Sequence, residues 1–309
     1  MKKKILLAVD DSIYSKYAVV YAANMSSITG RLHFTLFHVL PTVSQFLLDE
    51  AKTDFRAKSE IKKIMLKNQE KAHRFLNNYK EQLVKMGIKE DRIDIVAQPK
   101  MLGMARDVLE HAQKGLYDAI CIGRRGLTRL QATFSGSVTK KLLQHSQFVP
   151  VWVIDGEVES KKVMAAIDGS ESSLRAVDHL CFMLMDNPEI DITIFHVAAK
   201  IGDYCEIDFN DTGGELERFV VEGDKRCVQN FYTHALKKFK DAGIGEDRIL
   251  IKEVKPRMNV GKAIITELKK GKYGTVVIGR RGISRSFFMG KVSEYVIEKI
   301  ENCALWLVS

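Results

Sequence analysis

The chain is poor in the features that most sharply define a function class. Only five cysteines occur in 309 residues, Cys121, Cys181, Cys205, Cys227 and Cys303, an odd and scattered set with no C-x-x-C pair. That pattern argues against a disulfide framework or a zinc site, and it suits a reducing compartment, so a cytoplasmic protein without a metal site is expected. No stretch approaches the ~18 apolar residues of a membrane span. The opening MKKKILLAVDD starts with a basic cluster. Its apolar run falls short of the ~7–15 residues of an export signal and ends in the carboxylates Asp10 and Asp11, so it reads as a buried strand. There is no G-x-x-x-x-G-K-S/T loop and no acidic metal pair, so nothing supplies phosphoryl transfer with a positioned metal and an oriented nucleophile.

Charge narrows the field further. A net charge of +9 attracts phosphate, but neither a recognition motif nor an interleaving of aromatic with basic residues accompanies it. The lysines spread over amphipathic segments, as at Lys62, Lys63 and Lys71, where alternating charges make a solvated face. Nucleic acid and membrane are not expected as partners; a small polyanionic ligand fits better.

What the chain does contain is one module written twice. AICIGRRG at Ala119–Gly126 returns as TVVIGRRG at Thr275–Gly282. LLAVDDS, carrying Asp10, matches MAAIDGS, carrying Asp168, and Phe37-His38-Val39 matches Phe195-His196-Val197. GIKEDRIDI at Gly87–Ile95 matches GIGEDRILI at Gly243–Ile251, and VPVWV at Val149–Val153 matches CALWL at Cys303–Leu307. At about 100–200 residues per domain, the chain divides into 1–155 and 160–309, each long enough for its own core. The link from Asp155 to Lys161 is short and polar, which implies that the two domains dock.

Each copy opens with a short apolar run rich in branched residues, the pattern of a parallel strand covered on both faces. A helix follows, capped by Ser12 with Tyr17, Val20, Tyr21 and Met25 at helical spacing, or by Ser170 with Leu174, Val177, Leu180 and Leu184. Strand two spans 32–40 and 190–198; a variable connection leads to a helix over about 61–86 and about 223–242. Strand three covers 93–97 and 249–254, helix three about 104–114 and 261–270, and strand four 119–122 and 275–278, before a last helix and a fifth strand. Strands alternating with helices give right-handed crossovers, and so an α/β fold of two tandem open five-stranded parallel sheets with helices on both faces. In such Rossmann-like folds ligands bind beyond the carboxyl ends of the strands at the topological switch point. The repeated words fall there.

In the first copy Gly123 and Gly126 are followed, after the nine residues Leu127 to Ser135, by Gly136-Ser137-Val138-Thr139 and a helical segment. Glycines at a strand end let backbone approach a ligand closely, while a Gly-Ser opening a helix presents free N–H groups and a hydroxyl to an anion. A pair of structural turns is the alternative use of such glycines. Together with the strand-one aspartate they converge on the switch point.

This pattern, G-x-x-G, nine residues, then G-S/T after a strand-one aspartate, resembles the universal stress protein family in its ATP-binding branch, over the whole chain as two domains in tandem. The resemblance implies an adenine-nucleotide α-hydrolase-like fold and ATP as ligand, with or without Mg2+. Carried onto this sequence, it implies Asp10 and Val39 for adenosine, Gly123 near the ribose, and Gly126, Gly136, Ser137, Val138 and Thr139 for phosphate. Arg124 and Arg125 are further candidates for the phosphate side, against the alternative of solvated loop arginines. The family's last strand pairs edge to edge in dimers, so the terminal strands carrying Trp152 and Trp306 are expected to pair within the chain as an internal pseudo-dimer, with a further homodimer left open.

The second copy departs from the pattern. Only seven residues, Ile283 to Met289, separate Gly282 from Gly290, and Lys291 stands in place of the serine or threonine. Asp168, Val197, Gly279, Gly282, Gly290 and Lys291 define a weaker second site: Lys291 would supply charge for the lost hydroxyl, or the domain is kept for packing. Asp208 to Gly213 begins like a calcium loop, but Phe219 occupies the twelfth position where a bidentate glutamate belongs. His38 and His196 follow buried strands without a nucleophile nearby and read as structural. The expected function is a non-enzymatic, nucleotide-dependent stress or signalling module with an unidentified protein partner, at most hydrolysing ATP slowly. The alternatives are a nucleotide-independent interaction module and an adenylating enzyme of the related fold; the latter needs a serine-rich loop after strand one, where Ser12 stands alone.

Overall fold

The structure, a computed structural model, describes residues 2–30, 32–124, 137–185, 187, 190–198, 215–255, 259–280 and 290–309. The first half runs β1 (Lys3–Ala8), α1 (Ile13–Thr29), β2 (Leu32–Leu40), α2 (Gln45–Thr53), α3 (Phe55–Lys85), β3 (Ile93–Pro99), α4 (Met104–Lys114), β4 (Ala119–Gly123), α5 (Ser137–His145) and β5 (Val151–Asp155). The second runs β6 (Val163–Ile167), α6 (Glu171–Leu184), β7 (Ile192–Val197), α7 (Glu215–Asp241), β8 (Ile249–Val254), α8 (Val260–Gly271), β9 (Thr275–Gly279), α9 (Lys291–Lys299) and β10 (Cys303–Val308). The α/β fold read from the repeat is borne out, including the caps: the side chain of Ser12 accepts from the Ser15 N–H and that of Ser170 from the Ser173 N–H.

The connection after β2 differs from the sequence reading. It is itself helical: α2 precedes α3, and Asp54 between them caps α3 through the Arg56 N–H. No α2 residue is buried, so the apolar spacing that betrays an amphipathic helix has little to act on. In the second half the corresponding helix begins at Glu215, ahead of the expected start near Gly223. The calcium-like segment at 208–213 lies outside the described residues.

The strands form one ten-stranded sheet in the order β3-β2-β1-β4-β5-β10-β9-β6-β7-β8. Each half keeps its own parallel order, and the halves join through β5 and β10, which pair antiparallel with Trp306 opposite Trp152. The two sheets expected from the repeat are therefore continuous. Apolar clusters cover both faces, and each draws on both halves: Tyr21, Trp152, Val177 and Trp306 lie on one, Val138, Leu142, Val296 and Leu305 on the other. On the first face Trp152 Nε1 donates to His179 Nε2 at 3.1 Å, and Trp306 Nε1 to the Tyr21 hydroxyl at 2.9 Å. Each tryptophan thus reaches the first helix of the opposite half, and these buried ring N–H groups have the partner that burial demands.

Lys3, on β1 and fully buried, reinforces the junction. Its ammonium donates to Thr29 O at 3.2 Å and Met183 O at 3.1 Å, near the ends of α1 and α6. A cation is favoured at helix C-termini.

Candidate functional site

Strand register brings several predicted ligand residues side by side. Ala8 pairs with Phe37 of β2 and Ile122 of β4. Continuing the register, Val9 is level with Gly123, and Asp10 with Val39, on chains ~4.8 Å apart. In the second half Ile167 pairs with His196 and Ala166 with Ile278, which sets Asp168 level with Val197 and Ile167 level with Gly279. Both sets lie where β1 and β4, or β6 and β9, part company, at the switch point.

Asp10 is oriented by the first turn of α1. Ser15 Oγ donates to Asp10 Oδ1 at 2.7 Å and accepts the Asp10 N–H at 2.9 Å. One carboxylate oxygen is fixed in this way, and Oδ2 has no hydrogen-bond partner among the described residues. From α3 the Tyr79 hydroxyl faces the carbonyls of Asp10, at 2.9 Å, and Ser12, at 3.2 Å. Burial, with the carboxylates of Asp10 and Asp11 nearby, pushes that hydroxyl up, so it stays protonated and donating. Lys71 sits 3.3 Å from Asp11 with both groups half exposed, a pair worth at most about 1 kcal/mol.

His38 Nδ1 is 2.8 Å from Val9 O, and because a carbonyl only accepts, Nδ1 carries the proton. Burial lowers the His38 pKa against the opposing pull of the Val9 carbonyl and Asp10. His196 repeats the contact with Ile167 O at 3.1 Å. Both histidines tie strand ends, as the sequence suggests. Among the described residues no cluster of three or more His, Cys, Asp or Glu is placed to hold a metal.

In the second copy Asp168 Oδ1 accepts from Ser173 Oγ at 2.6 Å and from the Ser170 N–H at 3.0 Å. The first-copy clamp is missing, however. Counting from the paired glycines Gly87 and Gly243, Tyr79 corresponds to Ala235, which is buried and has no hydroxyl to give. Cys227 takes the place of Lys71, with its thiol 3.6 Å from Gly169 O.

The first glycine of each word answers to packing. A Cβ on Gly123 would stand 2.5 Å from Tyr14 O, and one on Gly279 would stand 2.7 Å from Ser172 O, so only glycine lets the strand end pass the first turn of α1 or α6. At the next helix Thr139 is buried and turns its hydroxyl to Gly123 O at 3.4 Å, as Ser293 does to Gly279 O at 3.4 Å. The Val138 side chain is core. What α5 can offer an anion at Val138 and Thr139 is therefore main-chain N–H, which the helix itself leaves unsatisfied in its first turn. Ser137 opens that helix. Gly126, Gly136, Gly282 and Arg125 lie outside the described residues. Gly290 is the N-cap of α9, and Lys291 is its exposed first residue.

Arg124 is the clear departure from expectation. Its guanidinium does not face the phosphate side: Nη1 donates to Ile300 O at 2.7 Å and Nη2 to Glu298 O at 2.6 Å, at the end of α9 in the other half, with Asp155 Oδ1 at 3.3 Å. Arg280 does the same in reverse, donating to Ser146 O and Gln144 O at the end of α5. Both arginines are buried. A guanidinium fork satisfies orphan helix carbonyls and complements the helix dipole, worth up to ~2 kcal/mol in a partly buried setting. A family model for the universal stress protein family matches residues 1–155 and again 159–308. The chain belongs to the universal stress protein family. Among solved structures, a universal stress protein from Archaeoglobus fulgidus is 18% identical, with 99% of this chain and 98% of that one covered and a TM-score of 0.66. A functionally unknown protein from Pseudomonas aeruginosa PAO1 is 13% identical, covering 99% and 92%, with a TM-score of 0.57. At these identities the likeness shows the fold alone. No curated protein sequence matches.

Against this universal stress fold, three features escaped the sequence reading. Ser15 and Ser173 each stand five residues after the aspartate in both copies, a repeated spacing that was available as a signal. Tyr79 left none, because its counterpart is alanine. The arginines were visible as a repeat, but nothing local in a Gly-Arg-Arg-Gly word says that the first side chain crosses to another domain.

Proposed function

We propose that the N-terminal half binds ATP and that the chain acts as a nucleotide-dependent stress or signalling module. The observation that carries this reading is the carboxylate of Asp10, fixed through one oxygen by Ser15 with the other oxygen unpartnered among the described residues, level with Val39 at the switch point. That free oxygen suits a ribose or adenine donor, and the first turn of α5 supplies N–H groups for phosphate at the same end of the sheet. Adenosine falls to Asp10 and Val39, with Gly123 beside them, and phosphate to Gly126, Gly136, Ser137, Val138 and Thr139 in the glycine loop. Mg2+ would accompany the triphosphate as part of the ligand. Among the described residues no side chain near Asp10 is arranged as nucleophile and base, and binding without turnover, or with only slow hydrolysis, is the expected behaviour.

The second half is read as a weaker or packing-only copy. Ala235 in place of Tyr79 and the shortened loop before Gly290 both remove parts that the first half retains. Calorimetric titration of ATP into nucleotide-free protein tests the assignment. Wild type is expected to bind, with Asp10→Ala and Gly136→Val abolishing or severely weakening the interaction. Equal affinity in all three proteins would move the function to a nucleotide-independent interaction module.

A further inference from the structure

The second copy has lost part of the glycine pattern, yet it keeps the Arg280 anchor. The Arg280 N–H joins Val308 O at 2.6 Å, and its carbonyl accepts the Gly290 N–H at 3.3 Å, so its backbone is fixed between β10 and the start of α9. From this support the side chain crosses the β5–β10 seam and grips the carbonyls of Gln144 and Ser146. Those carbonyls end α5. The opposite end of α5, Ser137 to Thr139, is the end that faces the first-copy ligand site, and Thr139 ties it to Gly123 O. At 1.5 Å per residue, the six to seven residues between Val138–Thr139 and the gripped carbonyls place the grip about 10 Å from the anion-facing turn.

We propose that Arg280 is a positioning residue for the first-copy site, supplied by the other half of the chain: it sets the axial position and tilt of α5, and so the placement of the N–H groups at Val138 and Thr139. A planar fork on two carbonyls fixes direction as well as distance, which a single donor does not. The short rigid helix carries that constraint to its far end. Arg124, on Glu298 and Ile300, holds α9 in the same manner for the second copy. On this account the second domain retains its Gly279-Arg280 step because that step serves the first domain, whatever the second domain itself binds. The ligand part of the inference rests on reading the first-copy site as an ATP site.

The test compares full-length wild type, Arg280→Gln and Arg280→Lys, using calorimetry with ATP and with adenosine, and amide exchange along α5. Arg280→Gln is expected to weaken ATP roughly five-fold or more, the scale of coupling between separated sites. Adenosine affinity is expected to stay unchanged, because α5 meets only phosphate. Exchange should quicken from Gln144 back to Lys141, the first amide with an acceptor inside α5, while β1 and α1 keep their protection. Arg280→Lys, which keeps the charge without the fork and guards against loss of folding, should show the same selective loss to a smaller degree. ATP and adenosine falling together, or ATP unchanged in a variant that folds, would overturn the proposal. If wild type binds no ATP, the ATP reading fails by itself, and the exchange arm still decides the positioning: quickening that reaches Lys141 supports it, and quickening confined to Gln144–Ser146 refutes it.

Discussion

The indole rings of Trp152 and Trp306 stack across the antiparallel β5–β10 pair, their centroids 4.1 Å apart and their planes within 4° of parallel. One belongs to each copy, both are fully buried, and each indole N–H crosses to the other copy. The seam between the domains is therefore packed core, and both rings belong to one apolar cluster that draws on the two halves.

Replacing either tryptophan by alanine removes the stack and leaves His179 or Tyr21 without its donor. Phe or Trp to Ala changes in cores cost about 3–5 kcal/mol. Urea unfolding of Trp306→Ala should show a loss of that size. A loss below ~1 kcal/mol would mean that the seam contributes little to folding.

The two strand-end glycines make a matched pair of predictions. Gly123→Ala forces a Cβ against the Tyr14 carbonyl, and Gly279→Ala forces one against Ser172. Overpacking of this kind costs about 1–3 kcal/mol. Both variants should be destabilised in thermal melts by similar amounts, with or without nucleotide, because the clash lies with a helix of the same domain.

His179 gives the protein a pH dependence of known sign. Its buried imidazole has its pKa held down to about 3 by desolvation, against 6.5 when exposed. Below pH 6.5 the unfolded chain takes up a proton there that the folded chain refuses. Stability from this group is complete above that pH and is lost as pH falls toward about 3, at up to ~1.4 kcal/mol per unit. His179→Gln, which keeps an acceptor for Trp152, should flatten the decline between about pH 6 and pH 5. An unchanged pH profile in that variant would show that the imidazole does not stay neutral.

Ser15 orients Asp10 without being able to reach far beyond it. Ser15→Ala frees the carboxylate and removes a hydrogen bond to a charged group, an interaction of about 1.5–3 kcal/mol. ATP affinity should fall about ten-fold or more, while Ser173→Ala, its counterpart in the second copy, leaves that affinity unchanged. Equal effects in the two variants would place the nucleotide in both halves.

The legible part of this molecule was the part written twice. Strand two at Leu32–Leu40 and helix Met104–Lys114 were readable to the residue, because buried runs and apolar spacing are local. The helix α2 was not, since a helix that buries nothing carries no pattern. Strand order also brings Asp10, Val39 and Gly123 to neighbouring strand ends, as the register shows. The roles of Thr139 and Arg124 were not legible, because they depend on where a side chain turns after the backbone is set. Thr139 faces inward to a strand carbonyl, and Arg124 crosses to a helix 174 residues further along the sequence.

The most direct test of the central claim is to extract and quantify adenine nucleotide per chain from purified protein, after saturation with ATP and removal of the excess, in wild type and in Gly136→Val. About one nucleotide per chain, lost in the variant, is the predicted result, with ~1:1 stoichiometry as for any single site. No nucleotide in wild type, or the same amount retained in Gly136→Val, would contradict an ATP site in the N-terminal half.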